Sequence, residues 1–304
     1  MWHFIAVRAL QAVLTILLVT VVVFVITRIS GDPAKLLIPP EVPAEEVPKY
    51  REAWGLNDPL PMQYLKFVTN AATGDFGNSY RYDVPVADLV WKRLQSTAKL
   101  AVAAVVLTAA VAIPLGVAAA VYRGTALDAL VRVLALAGQA IPSFWLGLIL
   151  VLVFAIQLHW LPATGNQNWK SLVLPAITLS SFSMAAVARL TRSSMLDVLD
   201  SEYIKLVRAK GMPERTVIFK HALRNAAIPI ITVLGLQLGG LIGGSVLVET
   251  IFSWPGIGQL SVDAVFAADY AVIQAIVLVG SISFVVINLL IDLMYAVVDP
   301  RIRY

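Results

Sequence analysis

Cysteine is absent from the 304-residue chain, which excludes disulfides, thiolate metal sites and thiol nucleophiles at the outset. Charge is scarce as well: 14% of residues are Asp, Glu, Lys or Arg, against about 25% in soluble domains. The three histidines, His3, His159 and His221, stand far apart, so no paired-imidazole metal site is visible. No glycine-rich phosphate loop is present. Lys210-Gly211 sets a lysine beside a glycine but lacks the loop that cradles a nucleotide. A serine-nucleophile elbow and paired intramembrane carboxylates are also missing, which argues against a membrane protease. No catalytic residue, cofactor or metal is therefore expected in the chain itself, and no nucleic acid as partner.

What is abundant is apolar: 59% of residues are hydrophobic, so lipid rather than water suits most of the surface. A membrane span needs about 20 mostly apolar residues. Six runs qualify: Leu10–Ile29, Leu100–Tyr122, Leu134–Leu158, Leu172–Ala188, Ala226–Val248 and Ala271–Val298. The first is too long for a signal-peptide core, and Thr27-Arg28-Ile29-Ser30 offers no cleavage site, so it reads as a retained anchor. Lys and Arg crowd the connection between spans four and five (Arg189, Arg192, Lys205, Arg208, Lys210, Arg215, Lys220, Arg224). The short third-to-fourth loop has only Lys170, and the Glu249–Tyr270 loop has none. The basic side is expected in the cytoplasm, with both termini. The division expected is an anchor helix over 1–29, an outer segment over 30–97 and a core over 98–304 holding five spans, with its cytoplasmic segment at about 189–225.

Within the outer segment, Glu45–Trp54 and Pro85–Leu94 space charged and apolar residues at near-helical intervals, which predicts short amphipathic helices. Asp292 is the one acid well inside a span, and an unpaired carboxylate there is costly. It is expected to pair with a neighbouring helix near the cytoplasmic boundary, with Asn288 one turn earlier. Gly235, Gly239 and Gly243 share a face of the fifth span, a small-residue ladder suited to static packing or to a face that slides during gating. Gln237 cannot face lipid unsatisfied and is a candidate for a cavity, together with Gln139, Ser143, Ser180, Ser183 and Asn288.

The polar island Ser201–Gly211 breaks the membrane pattern. Glu202, Tyr203, Lys205, Arg208, Ala209 and Lys210 sit on a helix-prone stretch that Gly211 ends, and Pro213 suits the first turn of the next helix. A basic helix resting on anionic lipid is one reading of it.

Tyr203-Ile-Lys-Leu-Val-Arg-Ala-Lys-Gly211 followed by His221-Ala-Leu-Arg-Asn-Ala-Ala-Ile-Pro229 resembles the cytoplasmic loop of the dipeptide/oligopeptide/nickel permeases of ABC importers. Gly31-Asp-Pro33, Gly55-Leu-Asn-Asp-Pro59, Gly74-Asp-Phe-Gly77, Thr191-Arg-Ser-Ser194, Glu249-Thr-Ile-Phe-Ser-Trp-Pro-Gly256 and the ending Asp299-Pro-Arg-Ile-Arg-Tyr304 agree in order along the chain. The general permease motif, Glu-Ala-Ala, three residues, then Gly, is met here only at Gly211, with Lys205, Leu206 and Val207 in the first three places.

The resemblance implies an all-α integral membrane fold, six transmembrane helices in a type I ABC importer bundle, with a coupling helix between helices four and five. It implies a second homologous permease chain, two ATP-binding subunits that carry ATP and Mg, and an external substrate-binding protein. Glu249, Trp254, Pro255 and Gly256 become candidates for an external gate or for docking that protein. The bacterial or archaeal cytoplasmic membrane is the implied location. Di- or oligopeptides are the expected cargo, the same machinery serving glutathione, nickel chelates or another small solute as the alternative. A stand-alone secondary transporter or channel is the alternative of another class.

Overall fold

The computed structural model describes residues 2–29, 42–43, 45–53, 57–79 and 81–298. Gly31-Asp-Pro33, Gly55, Leu56 and the Asp299–Tyr304 ending lie outside the described residues. The chain is an all-α membrane bundle with one two-residue-per-strand hairpin, β1 (Asn78–Ser79) against β2 (Val84–Pro85). Among the described residues five helices are long and apolar enough to cross a bilayer, and a bent pair, counted as one span, brings the number to six.

α1 (Trp2–Ile29) lies against the last helix and is met at one end by α3 (Leu60–Thr73), after the short α2 (Val47–Ala53). Pro59 precedes α3, and Gly74 closes it at φ 78°, a left-handed cap that glycine adopts without steric cost. Thr20 and Tyr64 share a 2.8 Å hydrogen bond, and Phe24 meets the Tyr64 ring edge-on. α1 is latched to the last helix by Arg8 Nε, 3.2 Å from Asp292 Oδ2. The lone intramembrane acid therefore has its partner, as expected. Asn288 instead donates to the Phe284 carbonyl of its own helix.

α4 runs unbroken from Val86 to Val121. The amphipathic stretch expected over Pro85–Leu94 is the leading end of this second span rather than a separate surface helix. Asp88 in its first turn favours the positive helix terminus. The run expected as a straight third span is broken: α5 (Ala126–Ala140) and α6 (Ser143–Leu150, continued by π-helical turns to Gln157) meet at 99° across Ile141-Pro142. Proline disfavours helical backbone in the residue before it and cannot donate to the previous turn.

α7 (Lys170–Leu199) is longer than the run seen in the sequence and forms with α4 the most extensive helix interface of the bundle. They approach closely because Gly116 lacks a side chain: a Cβ there would lie 2.6 Å from the Ala188 carbonyl oxygen. α8 (Glu202–Ala209) and α9 (Glu214–Thr216) form an elbow, and π-helical turns over Val217–Ala222 carry the chain into α10 (Leu223–Ile242). At the opposite end come α11 (Val246–Ile251) and α12 (Ile257–Phe266), before α13 (Tyr270–Val298) returns through the bundle.

α10 stops at Ile242, six residues short of the expected Val248, so Gly243 caps the helix instead of extending the ladder. Gly235 and Gly239 do mark a close approach: a Cβ at Gly235 would overlap Ile291, and one at Gly239 would lie 3.0 Å from the Phe284 ring, both on α13. The two glycines are therefore used in packing within the chain. Gly235→Val is expected to cost about 1–3 kcal/mol by overpacking, read as a lowered thermal midpoint in detergent. An unchanged midpoint would show that α10 and α13 do not meet there.

Candidate functional site

The elbow is built from the inside out. Ser201 caps α8, its Oγ accepting from the Ile204 amide at 3.4 Å, and Glu202 follows in the first turn. Ile204 and Val207, three residues apart, face inward. They are buried with Val117 and Ala120 of α4, Met195 of α7, and Val217, Ala222 and Ala226 beyond the elbow. Burying two branched side chains contributes about 1.5–3 kcal/mol each and fixes the short helix across the ends of two spans.

The opposite face of α8 is open. Tyr203 is 49% and Leu206 59% exposed, with Met212 and Phe219 also uncovered nearby. Lys205, Ala209, Lys210 and Gly211 are exposed too, and Lys205 pairs with Glu202 at 2.7 Å. The angle of the elbow is braced twice. Arg208 grips Glu214 through Nε (3.2 Å) and Nη2 (2.7 Å), and Tyr203 OH lies 2.7 Å from His221 Nδ1. Between the braces Gly211 turns at φ 73°. Arg208 is exposed and at the same time holds the bend through Glu214.

A second constellation lies close by. Asp128, in the first turn of α5 and 1% exposed, receives Arg192 Nε at 2.6 Å and Nη2 at 2.9 Å, and the Gly124 amide at 3.1 Å. This bidentate pair ties the start of α5 to α7. Arg123 and Asp200 add an exposed link at 3.3 Å between the ends of α4 and α7. Sequence reading counted Arg192 only as a basic residue setting orientation. The available signal was an arginine inside the longer helical pattern and an acid opening another.

Among the described residues no hydrogen bond joins any two of the six polar residues singled out for a cavity. Gln139 accepts from Arg189 at 3.1 Å. Ser143 is half-buried just beyond the Pro142 bend, and Ser183 is half-buried on α7. Ser180 is fully buried and donates to the Ile177 carbonyl, which removes it from any water-filled path in this conformation. Asn288 bonds back to its own helix. Gln237 is different: its amide nitrogen sits 3.5 Å from Thr108 Oγ1 of α4, while its Oε1 is buried with no partner.

At the far end, the Glu249–Gly256 stretch is a knot rather than a surface. Glu249 is completely buried, its Oε1 accepting from Thr97 Oγ1 at 3.0 Å and its Oε2 from the Gln259 amide at 2.8 Å. Thr97 in turn accepts from the Ile257 amide. Trp254 is buried and donates to the Ser96 carbonyl, Gly256 is buried, and Pro255 is half-buried. A Cβ on Gly256 would overlap the Glu249 carboxylate, so glycine there is the space the acid occupies. Burial pushes the Glu249 carboxyl above its ordinary range, while the Gln259 amide and Thr97 hydroxyl pull it down. Glu249 and Trp254, named with Pro255 and Gly256 as candidates for an external gate or for docking, have buried side chains that fasten α11 and α12 to α4.

The described residues thus form a multi-pass helical bundle with a braced, amphipathic elbow at one end. Residues 112–304 match the family described as binding-protein-dependent transport system inner membrane component, and residues 1–101 match its N-terminal domain. The chain belongs to this family, the non-catalytic, multi-pass inner membrane permease subunits of bacterial ABC importers. The glutathione transport system permease proteins GsiC of Salmonella paratyphi A and of Escherichia coli K12 are each 41% identical over 305 residues, with complete coverage of both chains. A chain of the MetNI methionine ABC transporter, in an inward-facing conformation, superposes with a TM-score of 0.57 at 17% identity, covering 69% of this chain and 96% of that one. The second likeness bears on fold alone.

Proposed function

We propose that this chain forms half of the translocation pathway of an ATP-driven importer and that force enters it through the α8 elbow. The observation that carries the reading is the two-faced α8: Ile204 and Val207 are seated on α4 and α7, while Tyr203 and Leu206 are left open. A helix rigidly seated on two spans transmits a push. One with an apolar and basic outer face has something to receive it. Both termini and the elbow lie in the cytoplasm in this reading, in keeping with the basic residues around it.

Two ATP-binding subunits, which bring ATP and Mg, dock beneath the elbows of this chain and of a second, homologous permease. Their closure moves α8, and through it α4 and α7, as a rigid group. Substrate is delivered at the opposite end by an external binding protein. Gln237, with its unpaired Oε1 facing away from Thr108, is the strongest of the pathway candidates. The cargo is a small peptide, and glutathione is the specific choice. Support for it is the full-length likeness to permeases of glutathione transport systems.

Leu206→Asp tests the docking face without touching the buried one. Co-purification of the ATP-binding subunits with the permease pair is expected to fall at least ten-fold, with the chain still inserted. Undiminished association and uptake would remove the elbow from the coupling role.

A further inference from the structure

At the end opposite the elbow a groove of about 950 Å³ runs along α4 and is closed on its other side by the loop before α7. Gln95, Lys99, Val102 and Val106 recur along its α4 wall at helical spacing, all four exposed, the polar pair nearer the start of the helix. Asn166 and Gln167 face them from the loop. Among the described residues, the side chains of Gln95, Lys99, Asn166 and Gln167 have no hydrogen-bond or ion-pair partner in the chain. The knot at Glu249 holds this wall in place, since Trp254 both lines the groove and bonds to the Ser96 carbonyl.

One ammonium and three carboxamides gathered along an apolar groove make a specific chemical offer. The ammonium takes a carboxylate. The carboxamides both donate and accept, as the peptide group does. An anionic lipid headgroup would be matched by cations alone, so the carboxamides favour a peptide. The volume is at the upper end of the range for small-molecule sites, about 300–1,000 Å³. We infer that this groove is an entry subsite for a short anionic peptide, with Lys99 taking one of its carboxylates. The inference rests on the importer reading above, which puts this end of the bundle outside.

The absence of cysteine makes the test direct, because Gln95→Cys would carry the only thiol in the chain. The full complex, in vesicles of zwitterionic lipid, is treated with a charged thiol reagent while binding protein is added empty or loaded with S-methylglutathione. Slower modification is expected only with the loaded binding protein. In a second arm, Lys99→Glu should abolish that protection and raise the KM for uptake about ten-fold, the loss of one charge-assisted hydrogen bond. Equal protection by empty binding protein, by the partner permease alone or by anionic lipid alone would overturn the inference and name the occupant instead. An unchanged KM in Lys99→Glu, with wild-type uptake intact, sinks the groove but not the importer. No ATP-dependent uptake by the wild-type complex sinks both.

Discussion

Arg192→Ala is expected to lower the thermal midpoint of the chain by several degrees, because it leaves the Asp128 carboxylate without its bidentate partner. Asp128 is 1% exposed and already holds the Gly124 amide, so it cannot turn to water when the guanidinium is lost. Arg132 lies 3.4 Å away but is half-exposed, and softens the loss rather than replacing a bidentate grip. Asp128→Asn combined with Arg192→Met removes both charges while keeping an acceptor for Gly124, and most of the stability should return. Thermal unfolding of the detergent-solubilised pair reads both effects. A single variant with an unchanged midpoint, as for a surface ion pair, would mean that the contact is not buried.

Gly211→Val should leave the bundle intact and disconnect it from ATP. A Cβ at Gly211 meets nothing within 4 Å, so neighbouring atoms do not forbid the side chain. The backbone does. At φ 73° an L-residue pays about 1–2 kcal/mol, and a branched one more. The chain escapes that strain by reopening the elbow, which turns Tyr203 and Leu206 away from their receiver. The expected outcome is a fall of about ten-fold in ATP hydrolysis stimulated by loaded binding protein, the equivalent of about 1.4 kcal/mol. Gly211→Asn, whose side chain tolerates the left-handed region, should stay near wild type. Equal rates for Val and Asn would show that the bend angle carries no signal.

The spans were legible because lipid imposes length and composition on each of them separately. So was the elbow, where Gly211 and Pro213 are local punctuation for a local event. Pro142 signalled the break in the third span, yet the apolar run across it concealed the 99° bend. The Asp128–Arg192 pair was not legible, since nothing near either residue names a partner 64 positions away. Polarity alone did not show how the cavity candidates are satisfied. Ser180 and Asn288 satisfy themselves against carbonyls three and four residues back, an option open to any short polar side chain on a helix. Nor did it show that Glu249, an acid in a loop, is buried against Gly256.

The latch between Arg8 and Asp292 makes α1 an outrigger. It lies mainly along α13, whereas the residues buried among α4, α7 and the elbow find their neighbours elsewhere in the chain. The helices around the elbow therefore pack as a set without it. Removing α1 would strip one wall from the bundle and leave the seat of the elbow on α4 and α7 as it is.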